Sequence, residues 1–257
     1  MSNIIHPDEQ GGKLQPGEMH FANYFGPPIL QAELPTTVLE KITAIVDGLI
    51  GSDTAVSYGA NLAGSIQEEL AIPKQDLKEA GIYNYFEEIG KRFVILSSFH
   101  LSENISEDEQ ERLSAQITDM WLVRQRENEY NPLHLHTRCT ISAVMYIRVP
   151  EIKSRDIPFK NNESSQDGKI TFVHKSAGDP VSSFERSHIS IQPKVGSLYM
   201  FPSTMLHAVW PFIGDGERIS VSFNMIHSTR ENKKQEPSVS KKESQRTKWF
   251  YPKRNIE

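Results

Sequence analysis

Seven short, β-rich segments fill the second half of the chain, and they constrain the fold more than any other feature. Clusters of Gly, Pro, Asn, Asp and Ser separate them, and no helical periodicity lies between them. The segments are ITDMWLVRQREN, CTISAVMYIRVP, GKITFVHK, SHISIQP, VGSLYMFPS, LHAVWPFI and ERISVSFNMIH. This spacing predicts an antiparallel sandwich or barrel over about 117–228.

An amphipathic segment nearer the N-terminus predicts a helix. Thr37 and Glu40 fit a capping box, in which side chains satisfy free main-chain donors. Gly51 lies where such a helix would end. The apolar positions recur at helical spacing and form one stripe, which consists of Val38, Leu39, Ile42, Ile45, Val46 and Leu49.

Two further helices are predicted before the strands begin. One covers about 76–98, and the other begins within SEDEQERLSAQI at Ser106, which with Glu109 again fits a capping box. Apolar helix faces must be buried against a partner, and the strands provide one. We therefore expect one α+β domain over 21–229, in which a helical flank at about 21–116 covers the strands.

Three polar segments lie outside these predicted elements. Residues 1–20 are rich in Gly, Pro and polar groups, and we expect a flexible arm. Residues 230–257 contain nine Lys or Arg against four acidic residues, which fits either a mobile, solvated tail or a docking arm. The polar loop 152–169 is long enough to suggest a role beyond connection.

Composition limits the compartment and the partners. The net charge of −5, with both signs mixed, implies no general attraction to nucleic acid or membranes. Cys139 is the only cysteine, which excludes an intramolecular disulfide and a cysteine-rich zinc site. The first residues lack the basic and apolar regions of a signal peptide, and no apolar run approaches the roughly 18 residues of a membrane span. We expect a cytoplasmic protein.

A histidine pair stands at the entry of one predicted strand. His134 and His136 lie two positions apart in YNPLHLHTRCTISAVMYI. Side chains at such spacing in an extended segment point the same way, so the pair can bind a metal or belong to an ordinary polar face.

The last predicted strand alternates strictly between apolar and polar residues. Its polar face carries Arg218, Ser220, Ser222 and Asn224. Such a face can be turned to solvent, or it can bind a carboxylate, since Arg offers a planar fork of donors. His207 lies eleven residues before Arg218 across a Gly-Asp-Gly turn, so we expect both on adjacent strands of one hairpin.

The order of these motifs resembles that of the Fe(II)/2-oxoglutarate-dependent dioxygenases. His134-x-His136 is followed by SAVMYI, then GSLYMFPSTMLHAV, then GERISVSFN, most like the branch of 2OG-Fe(II) oxygenases related to the prolyl hydroxylases. The resemblance covers about 118–228, and its last part is the most specific. It implies a double-stranded β-helix, a jelly-roll barrel with flanking helices, which agrees with the helices-then-strands order read from the residues.

The resemblance implies a metal site at the three histidines. His134 and His207 match the two histidine ligands of the family, where they bind Fe(II) and act in catalysis. The usual acidic ligand, two positions after the first histidine, is His136 here. Three-histidine ligation by His134, His136 and His207 is one reading, because non-haem iron favours a facial set of three ligands. In the other reading only His134 and His207 ligate, and His136 lies just outside them.

The resemblance also implies a 2-oxoglutarate site. Arg218 and Ser220 match the basic residue and serine that hold the distal carboxylate of the cosubstrate. Tyr146 and Ser142 match strand positions that contact the same carboxylate in prolyl-hydroxylase-like members. Strand parity agrees, since positions 142, 144 and 146 share one face if alternation holds.

The expected function is therefore an Fe(II)- and 2-oxoglutarate-dependent dioxygenase that hydroxylates a C–H bond. Dioxygen and 2-oxoglutarate are its expected small-molecule cosubstrates, and its substrate would be a protein, a peptide or a small molecule. We expect no membrane and no nucleic-acid partner, and a homodimer stays open. The alternatives are a cosubstrate-independent three-histidine dioxygenase and a non-catalytic jelly-roll binding or assembly protein. We also expect Trp210 and Phe223 to lie in the core rather than to form a substrate platform, although Trp210 is close enough to His207 in sequence that the substrate side stays open for it.

Overall fold

The computed structural model describes residues 16–17, 19–22, 26–100, 105–153, 165–174 and 187–228. Its elements, in chain order, are β1 (Met19–Ala22), β2 (Ile29–Glu33), α1 (Thr36–Leu49), a 3-10 turn (Gly59–Asn61), β3 (Glu68–Ala71), α2 (Lys74–Glu79), α3 (Tyr83–His100), α4 (Glu107–Arg112), β4 (Ser114–Gln125), β5 (Asn131–His134), β6 (Ile141–Arg148), β7 (Ile170–Val173), β8 (His188–Ile191), β9 (Ser197–Pro202), β10 (Leu206–Val209) and β11 (Arg218–Ser228).

The strands form two antiparallel sheets. A seven-stranded sheet has the order β1-β2-β9-β6-β11-β4-β3, and a four-stranded sheet has the order β5-β10-β7-β8. The prediction of antiparallel sheets after residue 117 is confirmed, and the seven predicted segments correspond to β4 and β6–β11. Four short strands, β1, β2, β3 and β5, were not predicted.

The helices cover one face of the larger sheet. Val38, Ile42 and Val46 of α1 belong to the same buried cluster as Val221 and Phe223 of β11. A second buried cluster joins the larger sheet to the smaller one, and it includes Val144, Tyr146, Phe172, Tyr199 and Phe201. The molecule therefore has three layers, and the opposite, polar face of β11 lies between the two sheets.

The first predicted helix begins differently from the prediction. Pro35 is the N-cap of α1, and no side chain caps it, so the capping box at Thr37 and Glu40 is wrong. Proline fixes its own φ near the helical value, which favours a helix start without a capping side chain. Thr37 is instead the second residue of the helix.

The second and third predicted helices are shorter than expected. The segment 76–98 is interrupted at Gly81, whose φ of 69° is left-handed, so that α2 and α3 are separate helices. The capping box at Ser106 is confirmed, because its Oγ accepts from the Glu109 N–H while the Glu109 carboxylate accepts from the Ser106 N–H. That helix ends at Arg112, and β4 follows at once.

His207 and Arg218 do not share a hairpin, which corrects the expectation from sequence. β10 pairs with β5 and β7 in the small sheet, whereas β11 pairs with β4 and β6 in the large one. The connecting segment is bound elsewhere, since the carbonyls of Pro211 and Phe212 accept from the N–H groups of Gly168 and Asn128. The chain thus crosses from one sheet to the other between the two residues.

Several expectations about the chain ends fall partly outside the described residues. The arm at 1–20 lies mostly outside them, although Met19 and His20 belong to β1, and the basic tail at 230–257 lies wholly outside. Most of the loop 152–169 is outside as well. Among the helices of the described ranges, none is long and apolar enough to cross a membrane.

Candidate metal centre

Three histidines from two neighbouring strands and the loop after one of them meet at one point. His134 of β5 pairs directly with His207 of β10. His136 follows β5 and is held there because its main-chain N–H donates to the Ser203 carbonyl at 2.9 Å. Ring nitrogens of the three side chains lie within 4.8 Å of one another, close enough to bind one metal ion. The structure therefore brings together the three residues that the sequence proposed as ligands.

Each of the three rings has its Nδ1 atom beside an oxygen. The partner of His134 is the Pro132 carbonyl at 2.6 Å, and the partner of His207 is the Met205 carbonyl at 3.0 Å. The partner of His136 is the Asn224 Oδ1 atom at 2.7 Å. Because these oxygens can only accept, each Nδ1 carries the hydrogen, and each Nε2 keeps a lone pair. Metal-binding histidines show this arrangement, which fixes the ring and the tautomer.

Burial favours the neutral form of all three imidazoles. Burial lowers the pKa of His134 and of His136, and it lowers the pKa of His207 well below the usual value. Their mutual proximity acts in the same direction on the pKa values of His136 and His207. Neutral imidazole is the form that binds a metal. In the described part of the chain, no carboxylate joins this group, so its three possible ligands are uncharged.

A buried arginine lies further along the same sheet. Arg218 is 1% exposed, and its guanidinium donates to the Gly168 carbonyl, the Gln125 Oε1 atom and the Trp210 carbonyl. These partners are neutral, and no ion pair links Arg218 to any described acidic residue. Burial accordingly lowers the pKa of Arg218. A buried cation without an anionic partner is costly, so this position favours an anionic ligand.

Two hydroxyl groups stand beside this arginine. Tyr146 is fully buried on β6, and its hydroxyl has no hydrogen-bond partner. It lies near enough to Arg218 that the guanidinium lowers the pKa of the phenol, against the larger raising effect of burial. Ser220 is the cross-strand neighbour of Tyr146. An unpaired buried donor, a serine hydroxyl and an unpaired buried cation together fit a carboxylate.

Ser142 lies apart from these residues. It is 0% exposed, and its Oγ–H donates to the Asn224 Oδ1 atom at 2.9 Å, which also accepts from His136. Ser142 is thus near the histidines, at the other end of β6 from Tyr146. Its predicted contact with the cosubstrate carboxylate stays a prediction.

A narrow cavity, here called the inner cavity, connects the two groups. Its lining includes all three histidines at one end and Tyr146 with Ser220 at the other. Between them the walls are largely apolar, with Val123, Val144, Ile170, Phe201 and Val209. A ligand that binds both groups would therefore lie in a dry channel, where electrostatic interactions are stronger than in water.

A wider opening, here called the outer cleft, meets the inner cavity at the histidines. It has a volume of about 440 Å³, and His134, His136 and Trp121 line both spaces. Tyr58 stacks on Trp121 with ring centroids 5.1 Å apart, and Asp119 and Arg138 add charges to the walls. Arg138 adopts a left-handed φ of 62°, which is uncommon for a residue with a side chain.

Some residues of the site were given no role in the sequence analysis. Asn224 was placed on the polar face of the last strand without a partner, and Gln125 and Trp121, the cross-strand partners of Arg218 and Ser222 on β4, were not singled out. The expectation that Trp210 is in the core is wrong, because the residue is 42% exposed and its indole N–H donates to Thr171 Oγ1. Phe223 is in the core, as expected, against Phe86.

Three imidazoles near a buried arginine and two hydroxyl groups are the side chains that a non-haem metalloenzyme with an acidic cosubstrate needs. Residues 119–224 match the model of the family described as "Putative 2OG-Fe(II) oxygenase". This region contains both residue groups, and through it the chain is similar to the 2-oxoglutarate- and Fe(II)-dependent oxygenases, as its sequence motifs implied. It is an enzyme of the non-haem iron class, with Fe(II) and 2-oxoglutarate as metal and cosubstrate.

Solved structures with a similar chain course include several prolyl hydroxylases. A prolyl-4-hydroxylase from Pseudomonas putida is 15% identical, with 77% of this chain and 91% of that chain covered and a TM-score of 0.45. A viral collagen prolyl hydroxylase from Paramecium Bursaria Chlorella virus-1 is 14% identical, with coverages of 79% and 96% and a TM-score of 0.44. The prolyl hydroxylase of Trichoplax adhaerens is 12% identical, with coverages of 78% and 83% and a TM-score of 0.48. Among curated proteins no match was found.

Proposed function

We propose that this protein couples the oxidative decarboxylation of 2-oxoglutarate to the hydroxylation of an unactivated C–H bond. The inner cavity carries the proposal, because it joins three Nε2 lone pairs at one end to Tyr146 and Ser220 at the other. Arg218 does not line the cavity, but its guanidinium donates to Gln125, which does. We further propose that the two sheets form a double-stranded β-helix around this cavity, with the helices packed outside. The antiparallel pairing and the buried cluster between the sheets support this arrangement.

The metal would be held by His134, His136 and His207 through Nε2. Bound there, Fe(II) and 2-oxoglutarate supply the oxidation chemistry, with succinate and carbon dioxide as the products of the cosubstrate. The chain contributes the rest. Main-chain carbonyls and Asn224 orient the rings, and the apolar walls keep water away from the channel.

The cosubstrate would be oriented by its distal carboxylate. Arg218 would add charge-assisted hydrogen bonds to that group, and the Tyr146 and Ser220 hydroxyls would donate to it. Hydrogen bonds to Gly168 and Gln125 fix the orientation of the guanidinium. The other, 2-oxo end of the molecule would then point along the cavity towards the histidines.

The absence of a carboxylate ligand changes the charge balance. A usual set of two histidines and one carboxylate neutralises part of the metal's charge, whereas three imidazoles neutralise none. The dianionic cosubstrate would therefore contribute most of the negative charge near the metal. We propose that metal affinity rises strongly when 2-oxoglutarate is present.

The substrate would enter through the outer cleft. This opening reaches His134 and His136 from the side opposite Tyr146 and Ser220, and about 440 Å³ suits a small molecule or one side chain of a peptide. Tyr58 and Trp121 offer an aromatic surface, and Asp119 and Arg138 offer charges of both signs. We propose a polar substrate, either a protein or peptide side chain or a small molecule.

The test is metal binding and succinate production by anaerobically purified protein. We expect Fe(II) to bind more tightly with 2-oxoglutarate than without it, and oxygen to then convert 2-oxoglutarate to succinate. His207→Ala should lose both properties. A protein that binds metal tightly without 2-oxoglutarate and consumes oxygen without it would instead be a cosubstrate-independent three-histidine dioxygenase. Binding of neither ligand would point to a non-catalytic binding protein.

A further inference from the structure

The three histidines differ in what holds their Nδ1 atoms. His134 and His207 each face a main-chain carbonyl, and a carbonyl in a folded chain cannot exchange its oxygen for a donor. His136 faces the side-chain amide of Asn224. An amide that turns by 180° presents a nitrogen in place of the oxygen, so only this third ring has a partner that can reverse its role.

The orientation of the Asn224 amide decides whether His136 can bind a metal. With Oδ1 towards the ring, Nδ1 carries the hydrogen and Nε2 is free to bind. With Nδ2 towards the ring, Nδ1 must accept, the hydrogen moves to Nε2, and that nitrogen can no longer be a ligand. One side-chain torsion therefore separates a binding from a non-binding third histidine.

A buried serine supports the binding orientation. The Ser142 Oγ–H donates to the same Oδ1 atom at 2.9 Å, and Asn224 and Ser142 are cross-strand partners on β11 and β6. Ser142 is 0% exposed and Asn224 is 9% exposed, so water competes little for these groups. The main chain of Asn224 is held separately, since its carbonyl accepts from Thr118 Oγ1 at 3.2 Å.

We propose that Asn224, locked by Ser142, is a positioning residue that keeps His136 in the tautomer able to bind the metal. The proposal rests on the proposed function, in which His136 is the third ligand. It assigns a role to the last polar residue of the alternating strand and explains why Ser142 lies beside the histidines rather than beside Arg218. Outer partners of this kind typically change metal affinity by about 10- to 100-fold.

The first measurement reads the tautomer without metal and without turnover. Ring ¹⁵N chemical shifts of His136 in the metal-free protein distinguish a protonated from a bare nitrogen. We expect Nδ1–H in the wild type and in Asn224→Asp, because a carboxylate can only accept. Asn224→Leu, which has a similar size and no acceptor, should no longer confine His136 to that tautomer. A wild-type ring protonated on Nε2 would overturn the proposal.

The second measurement is affinity for Co(II) alone, which serves as a metal probe visible by absorption. We expect Asn224→Leu to weaken binding about 10- to 100-fold and Asn224→Asp to strengthen it, since the carboxylate fixes the tautomer and adds a negative charge. Thr118→Val is the matched control, because it removes a hydrogen bond to the Asn224 main chain only. Its affinity should equal that of the wild type, and a loss as large as that of Asn224→Leu would overturn the proposal.

A double variant separates locking from packing. Ser142→Ala should weaken Co(II) binding by about tenfold in the wild type and by clearly less in Asn224→Asp, which has no amide to lock. Equal losses in both backgrounds would show that Ser142 contributes only packing, and they would overturn its proposed role in locking the Asn224 amide.

If tautomer and Co(II) affinity behave as expected while succinate production is absent, the proposed function fails and the positioning role stands. If succinate is produced and Asn224→Leu keeps the wild-type tautomer, the positioning role alone fails.

Discussion

The two ends of the inner cavity are built differently, yet among the described residues no carboxylate joins the histidines at one end and none pairs with Arg218 beside the other. At one end, His134 and His136 are half-buried and His207 is buried, and their neutral rings face neutral oxygens. At the other end, Arg218 and Tyr146 are each 1% exposed, and the guanidinium has only neutral partners. The histidine end offers three neutral nitrogen ligands that could bind a metal cation, whereas the opposite end is next to the positive charge of Arg218. A dianionic cosubstrate that reaches both would balance them together.

The two ends also differ in the strands that carry them. Arg218, Ser220 and Tyr146 belong to β11 and β6, which have eleven and eight residues and lie inside the seven-stranded sheet. The histidines belong to β10, to the edge strand β5, and to the loop after it, and both of these strands have four residues. Short edge strands open more easily than central ones. The proposed carboxylate-binding end is therefore built on longer strands with neighbours on both sides, and we expect the proposed metal-binding end to gain more stability from its ligand.

The largest effect is expected from Arg218, because it supplies the only positive charge among the residues named at its end. Arg218→Ala should nearly abolish 2-oxoglutarate binding and succinate production, by roughly 100-fold or more, since each lost charge-assisted hydrogen bond is worth about 1.5–3 kcal/mol. Arg218→Lys should weaken binding less, because a lysine keeps the charge but not the fork. Calorimetric titration of 2-oxoglutarate measures both.

The control for this variant is Arg148→Gln. Arg148 lies on β6 as well, but its side chain is 44% exposed and pairs with Asp47. We expect wild-type affinity for 2-oxoglutarate from it, because an exposed pair contributes little. Unchanged succinate production by a folded Arg218→Ala protein would show that Arg218 does not bind the cosubstrate. The proposed difference between the two ends of the cavity would then be wrong.

The next effect concerns the metal-binding end. His136→Ala should weaken Fe(II) binding roughly 100-fold or more in the absence of 2-oxoglutarate, beyond the usual cost of losing an outer partner. His136→Asp should strengthen it by about tenfold or more, because an anionic ligand attracts the metal directly. The Asn224 amide can turn its nitrogen towards the new carboxylate. Anaerobic titration of the three proteins decides, and equal affinities would show that His136 is not a ligand.

The added charge should also weaken the link between the two ends. In the wild type, the dianion supplies negative charge that the ligands lack, so 2-oxoglutarate should raise Fe(II) affinity strongly. In His136→Asp the ligand supplies part of that charge, and the same addition should raise Fe(II) affinity less. Identical coupling in both proteins would mean that charge balance does not connect the ends.

Sequence patterns sufficed for the parts of the molecule whose residues repeat with a clear period. The strict alternation from Arg218 to Met225 predicted which residues of β11 face the cavity and which face the helices. The spacing of His134 and His136 indicated a shared direction, and the distant His207 joined them through a family resemblance. The capping box at Ser106 was readable because both partners lie in one turn.

The remaining features depend on contacts between distant segments. The crossing from β10 to β11 follows from hydrogen bonds of residues 211–213 to loops far away in sequence, which no local turn signal reveals. The edge strand β5 contains Pro132 and only four residues, too few for a period. Asn224 gains its role from Ser142 and His136, at separations of 82 and 88 residues. Parity places such a residue on a face but does not say what it touches there.

A smaller effect is expected from Tyr146, and it has opposite signs for binding and for stability. Tyr146→Phe removes a hydroxyl that is buried without a partner. The free protein should be as stable as the wild type or slightly more stable, because an unsatisfied buried group is costly. Binding of 2-oxoglutarate should weaken by about tenfold or more, since a hydrogen bond to a charged group is lost. Thermal unfolding with and without 2-oxoglutarate measures both effects.

A loss of stability in the free Tyr146→Phe protein would show that the hydroxyl has a partner of its own. The Tyr146 hydroxyl would then already be hydrogen-bonded before the cosubstrate binds. An unpaired donor would no longer distinguish this end of the cavity from the histidine end. The matched variant is Tyr199→Phe, on the neighbouring strand β9, whose ring packs edge-on against Tyr146. It should leave the affinity for 2-oxoglutarate unchanged.

The smallest effect concerns Glu69, a buried acid that could add a negative charge on the side of the cavity opposite the histidines. Glu69 of β3 is 4% exposed and stands two strands from Ser220, as the cross-strand partner of Val123. Burial, with a smaller contribution from Glu129, raises the pKa of Glu69 to about 7, and its Oε1 atom has no partner. Because its folded pKa lies above the usual 4.5, the folded state holds this proton more tightly than the unfolded state. The stability that this proton provides is complete below pH 4.5 and is lost as pH rises to about 7.

Glu69→Gln should therefore change stability in a pH-dependent way. The amide imitates the protonated acid, so the variant should unfold at nearly the wild-type temperature at pH 4.5 and a few degrees higher, roughly, at pH 8. Glu40→Gln, on the exposed side of α1, should change the unfolding temperature at neither pH. If Glu69→Gln shifts the temperature equally at both values, Glu69 is already ionised at pH 4.5. A buried negative charge would then stand two strands from Ser220, and this side of the larger sheet would already contain a buried anion.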